Sequence, residues 1–163
     1  MNGRLGIVWG ALLLVGCGSS DPRTWDKCTD ARCADPAASW EVYADGGNVG
    51  SGSWDFVGDP DPYICLTVAG TNKCSQNISD SSSPRWSRQL FANVTGAQLT
   101  TSSGLSVGYW DQDTGGSLDP NDAICSGTIH VTMDDLAYGG IQFDCNDVKG
   151  SHASATFRFH FLK

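Results

Sequence analysis

Glutamate is almost missing from this chain. Its 163 residues hold one, Glu41, against 17 aspartates. Glu favours helices whereas Asp favours turns, caps and metal loops, so the imbalance argues against a helix-rich protein. Clustered basic residues are missing too. With 10 Lys and Arg against 18 acidic residues, the net charge is −8 and no basic run exists, which excludes nucleic acid as a partner because phosphate neutralisation needs grouped cations. No apolar run reaches the roughly 20 residues that cross a bilayer as a helix. There is no Cys-x-x-Cys pair with a nearby His, which argues against zinc. Nor is there a Gly-x-Ser-x-Gly, a His-Glu-x-x-His or a glycine-rich phosphate loop before a helix, and His130, His152 and His160 lack a nucleophile beside them. No enzymatic activity is expected.

What is present reads as strand and turn. Eight segments carry β-formers or alternate large and small residues: Ser39–Ala44, Pro62–Val68, Asn72–Ser79, Trp86–Thr95, Gly104–Trp110, Ala123–Met133, Gly140–Cys145 and Ala155–Lys163. The last sets Phe157, Phe159 and Phe161 against Arg158 and His160, the period of a half-buried strand. Clusters such as Gly46–Ser53, Ser81–Pro84 and Thr114–Asn121 separate the strands. The pattern predicts an all-β, antiparallel β-sandwich without a helix.

The first residues, Met1–Cys17, read as an export signal. Arg4 precedes an apolar run of 11 residues, Leu5–Val15, too short to span a membrane. It ends in Leu14-Val15-Gly16-Cys17, which resembles the bacterial lipobox, where the peptide is cut before Cys and the thiol is acylated. That resemblance implies a signal peptide at 1–16, a lipidated Cys17 followed by a tether to residue 38, and a folded domain at 39–163. It also implies a protein anchored by its acyl chains to the bacterial envelope, at the outer membrane or cell surface. The sequons at Asn77 and Asn93 are not read as glycosylated in such a protein.

Six further cysteines remain, an even number in an exported chain, and they point to disulfides. A turn centred on Ala69-Gly70 sets Cys65 opposite Cys74. Cys125 and Cys145 flank an expected second hairpin centred near Asp135. Cys28 and Cys33 enclose a small loop ahead of the domain.

Two aspartate clusters stand out: Asp55-Phe56-Val57-Gly58-Asp59-Pro60-Asp61, and Asp111-Gln112-Asp113 followed by Asp119 and Asp122. Each lies in a loop between strong strands. Calcium is a hard cation that takes six to eight oxygens, and Asp-x-Asp on one loop facing Asp on another supplies them. Close carboxylates otherwise repel, by about 1 kcal/mol per pair in water and about 4 kcal/mol near a protein surface. As a 12-residue stretch, Asp111–Asp122 also approximates an EF-hand loop, but its flanks read as strands and its last position is Asp. It predicts the same metal.

From Ser39 to Lys163 the chain resembles a C2 domain. The motifs are Asp55 six residues before Asp61-Pro62-Tyr63, then Pro84-Arg85-Trp86, then Trp110-Asp111-Gln112-Asp113, and finally Asp122-Ala123-Ile124. The resemblance implies an eight-stranded Greek-key sandwich of the circularly shifted, type II topology. It implies calcium held by Asp55, Asp61, Asp111, Asp113 and Asp122, with the Gln112 carbonyl as a further oxygen. The third loop is longer than usual, so Asp119 replaces or joins Asp122. Cys125 stands where the family commonly has Gly, and Ser87-Arg88 where it has Asn-Glu. The partner implied is membrane lipid, through calcium-dependent contact with anionic phospholipid in which Phe56, Val57 and Leu118 enter the interface. The alternative is a structural or adhesive surface lipoprotein in which calcium only stabilises the loops; an accessory domain of a hydrolytic system is a third class.

Overall fold

The computed structural model describes residues 27–50, 59–113 and 122–163. The expected signal peptide, Cys17, Asp55, Phe56, Val57, Leu118 and Asp119 lie outside the described residues. The chain forms β1 (Ser39–Asn48), β2 (Pro62–Val68), β3 (Thr71–Cys74), β4 (Arg85–Thr95), α1 (Gly96–Leu99), β5 (Leu105–Asp111), β6 (Asp122–Ile129), α2 (Met133–Tyr138), β7 (Gly140–Asn146) and β8 (His152–Phe161). Two four-stranded sheets, β4-β1-β8-β7 and β3-β2-β5-β6, form the sandwich. Every pairing is antiparallel. This is the expected all-β architecture.

Alternation builds the core. Trp40, Val42 and Ala44 of β1 and Ala153, Ala155, Phe157 and Phe159 of β8 point inward and are buried. They meet Ile64, Leu66, Val107, Tyr109 and Ile124 of the other sheet in one apolar cluster. Each large side chain so buried is worth about 1.5–3 kcal/mol. Gly47 marks a close approach between the sheets: a Cβ there would lie 2.6 Å from the Ser154 carbonyl oxygen and 3.1 Å from the Tyr109 hydroxyl. The β2–β3 turn falls at Ala69-Gly70 as expected, with φ of 48° and 77°, the two positive values a tight hairpin turn requires.

Three differences from the sequence pattern have local causes. Two short helices appear where none is expected. Each opens on a capping box, Thr95 with Gln98 and Thr132 with Asp135, which satisfies the exposed amides at the helix start. Second, Cys125 and Cys145 are bonded, but not across a hairpin. The chain leaves β6 through α2, which ends on left-handed Gly139, and enters β7 in the opposite sheet, so this disulfide joins the two sheets. Cys65–Cys74 does lie across the β2–β3 hairpin, with the two residues in register.

Third, residues 28–38, assigned above to the tether, are held against the sandwich. Ala31–Ala34 forms a 3-10 turn closed by the Cys28–Cys33 disulfide, and Cys33 is buried. The Cys28 N–H donates to the Ala137 carbonyl of α2, and the Gly96 and Ala97 N–H groups of α1 donate to the carbonyls of Ala38 and Pro36. This end of the sandwich, where β1 starts and β8 finishes, is its base. The opposite end holds the end of β1, the end of β5, the start of β6 and the β7–β8 turn.

Candidate metal centre

Strand register assembles the carboxylates at the end opposite the base. Pro62 pairs with Asp111, and Asp111 pairs with Asp122, so Asp61, Asp111 and Asp122 sit at the mouths of three adjacent strands, β2, β5 and β6. Asp113 follows two residues beyond Asp111. Backbone groups fix the arrangement. The Asp61 N–H donates to Asp111 Oδ1 at 2.6 Å, and the Gln112 N–H donates to the Asp61 carbonyl at 3.1 Å. The Asp80 N–H donates to Asp61 Oδ1 at 2.7 Å. The motifs separated in sequence also meet here: the Trp86 indole N–H donates to the Pro62 carbonyl at 3.2 Å, and the Pro84 carbonyl accepts the Gly47 N–H at 3.0 Å.

Asp111 is wholly buried, and its Oδ2 has no hydrogen-bond partner among the described residues. Burial pushes its carboxyl above the ordinary carboxylate range. The Asp61 N–H opposes that push, while the negative charges of Asp113, Asp61 and Asp122 add to it. A buried carboxylate with one satisfied oxygen costs several kcal/mol unless a cation or a proton compensates it. The Tyr109 hydroxyl, on the same face of β5, is also buried without a partner among the described residues, and burial raises its pKa. Hard oxygens, like charge and an orphaned buried oxygen are the donor chemistry of a calcium site. Among the described residues, no three His, Cys, Asp or Glu side chains converge closely enough to enclose an ion by themselves.

Two contributors at this end escape sequence reasoning. Asp80, at φ 51°, acts through its backbone, and its part depends on a long-range contact with Asp61 that no local pattern signals. Asp147 is buried, accepts the Lys149 and Ser151 N–H groups through Oδ1 at 2.9 and 2.7 Å, and has no partner for Oδ2 among the described residues. The Asp147-Val148-Lys149-Gly150 turn is its only local signal. Val148, at the tip, is 69% exposed.

No protein-family model matches the chain, and no curated protein matches it. Solved structures do. Over 78% of its length the chain is similar to a structure of the two C2 domains, A and B, of extended synaptotagmin 2, with a TM-score of 0.55 and 18% identity, and it spans 42% of that chain. A calcium-bound structure of the same two domains gives 0.56 and 17% identity over 46% of that chain. The A domain, also a C2 domain, of a plant extended synaptotagmin 1 is covered to 98%, with a TM-score of 0.53 and 11% identity. The fold is therefore that of a C2-like β-sandwich. At these identities the likeness concerns the fold alone.

Proposed function

We propose that the chain is an exported bacterial lipoprotein, lipidated at Cys17, whose C2-like domain binds calcium and thereby contacts anionic lipid. The observation that carries the metal assignment is Asp111: fully buried, half satisfied, and surrounded by Asp61, Asp113 and Asp122. These four would hold the ion, joined by Asp55, Asp119 and the Gln112 carbonyl. Bound calcium supplies positive charge that offsets carboxylate repulsion and presents a cation to lipid phosphates. Asp111 anchors the set, Asp61 is oriented by the Asp80 N–H, and the Asp61 N–H in turn orients Asp111. Strand order β4-β1-β8-β7 over β3-β2-β5-β6 supports the circularly shifted form of the fold. Phe56, Val57 and Leu118 are the apolar residues proposed to enter the lipid interface. No catalytic role is proposed.

Extracellular calcium modules bind in the range of about 0.1–1 mM, and the same range is expected here. Calorimetric titration of the unacylated chain, residues 20–163, tests this directly. No heat of binding at millimolar calcium, or equal binding of magnesium, would defeat the assignment. A purely structural role for calcium is the second reading. It draws on the scarcity of lysine, four in the whole chain, which leaves little electrostatic attraction to anionic lipid. Calcium binding without vesicle association would favour it.

A further inference from the structure

The base of the sandwich holds a cleft of about 480 Å³ that the metal centre does not use, and its lining includes Lys27, Asp30, His160, Phe161 and Lys163. Small-molecule sites commonly have about this volume. In a chain of net charge −8, the charges here stand apart. The Arg32 guanidinium donates from Nε and Nη2 to the two Asp30 oxygens at 3.0 and 2.7 Å, so these two charges cancel. Those Arg32 hydrogen bonds lead in holding the Asp30 carboxyl at about 2, and the Lys163 charge is the least of the causes. Neither Lys27 nor Lys163 has an ion-pair partner among the described residues. The Lys27 ammonium lies 5.5 Å from the Tyr138 ring centroid, a contact that positions the charge without neutralising it. Two ammonium groups thus line one cleft whose carboxylate is already committed to Arg32.

The donor set selects the anion. A planar carboxylate is matched best by a guanidinium fork, and the Arg32 fork is closed on Asp30. The ammonium groups that remain are point charges, which suit a tetrahedral oxyanion. His160 separates phosphate from sulfate. Its Nδ1 lies 3.0 Å from Glu41 Oε2. The Tyr43 hydrogen bond leads in lowering the Glu41 pKa, so this carboxylate is ionised and only accepts. Nδ1 therefore carries the hydrogen, and the neutral imidazole is left with Nε2 as an acceptor. A phosphate monoester, with a second pKa of about 6, can supply a proton to it; a sulfate has none to give. Phe161 adds an apolar wall. Arg32 lies 5.5 Å from its ring centroid and Trp40 meets it edge-on at 5.4 Å, which holds the ring in place beside the cleft. The space exceeds that of a bare phosphate, and an aromatic wall suits an organic group attached to one.

We infer that the cleft at the base binds a phosphate monoester, its oxygens held by Lys27 and Lys163, its proton shared with His160 Nε2 and its organic group laid against Phe161. Neither calcium nor an acyl anchor takes part, so this site stands or falls apart from the metal centre. The test is calorimetry of the full chain with a calcium chelator present, using phenyl phosphate, inorganic phosphate, sulfate and benzoate as probes. Phenyl phosphate should bind saturably at millimolar concentration, more tightly than phosphate and far more tightly than sulfate or benzoate. On binding, the His160 ring resonances should shift in the NMR spectrum while those of His130 and His152 stay in place. Lys27→Gln with Lys163→Gln, both exposed positions, should weaken phenyl phosphate roughly tenfold or more, the scale of a lost charged hydrogen bond, with the melting temperature unchanged. His160→Gln should erase the preference for phosphate over sulfate. Vesicles of phosphatidylcholine with and without phosphatidic acid, again in chelator, identify the source of the phosphate. Retention by phosphatidic acid that the lysine variant loses assigns it to a lipid headgroup, and phenyl phosphate binding without retention assigns it to a soluble molecule. No saturable binding, equal binding of sulfate or benzoate, an unmoved His160 ring, or undiminished binding in the lysine variant would overturn the inference.

Discussion

Two carboxylates in this protein respond to acid in opposite senses. Glu41, the lone glutamate, accepts the Tyr43 hydroxyl and the Gln89 amide and lies 3.0 Å from His160 Nδ1. The Tyr43 hydrogen bond leads in holding its pKa below 4.5 in the folded state. Its stabilisation is therefore present above the unfolded pKa and lost as pH falls through the folded one. Asp111 has the reverse sign: its folded pKa stands above 3.8, so its ionised form penalises the calcium-free fold, and acidification toward the unfolded value relieves that penalty. Asp111→Asn keeps an oxygen for the Asp61 N–H while removing the charge. It should raise the calcium-free melting temperature at neutral pH. Together with Asp113→Asn it should abolish the rise that calcium produces. Glu41→Gln should lower stability at neutral pH and flatten the acid limb. Thermal melts from pH 7 to pH 4, with and without calcium, read all three; destabilisation of the calcium-free protein by Asp111→Asn would contradict the electrostatic account. The two aspartate clusters stood out in the sequence as pairs between strong strands, and strand register sets Asp61, Asp111 and Asp122 side by side. Asp80 and Asp147 did not stand out, because their roles depend on backbone amides and on neighbours brought together only by folding.

Among the elements, alternation such as Phe157-Arg158-Phe159 made the strands readable, since a period of two has one structural meaning. Turns were readable only where their chemistry is local. Ala69-Gly70 announces a hairpin, whereas the β6–β7 passage depends on the Thr132 capping box, which sends the chain into the other sheet. This contrast sets different expectations for the disulfides. Cys125–Cys145 joins the two sheets at a separation of 20 residues, while Cys65–Cys74 closes a hairpin at a separation of 9. Replacing both members of a pair by Ala should cost about 2–4 kcal/mol, more for the longer loop. Denaturant titration of the two double variants checks the order, and equal losses would show that the inter-sheet link adds nothing beyond its neighbours. At the hairpin itself, Ala69 bears a Cβ at φ 48°. Ala69→Gly should stabilise the protein by about 0.5–1 kcal/mol through relief of left-handed strain, measurable in the same titration.

At the scale of the whole molecule, the net charge of −8 includes the close set of carboxylates at one end. Salt that screens this repulsion should raise the calcium-free melting temperature and shrink the increment calcium adds. A calcium increment independent of ionic strength would mean that repulsion among these aspartates is not what the ion relieves. The clamp of residues 28–38 onto α1 and α2 has a mechanical consequence. Any pull arriving through the N-terminal segment passes the Cys28–Cys33 link and enters β1 along its own axis. β1 lies between β4 and β8, hydrogen-bonded to both. Tension between the base and the far end therefore shears two ladders at once, where an edge strand would engage one, so the load falls on a strand braced on both sides.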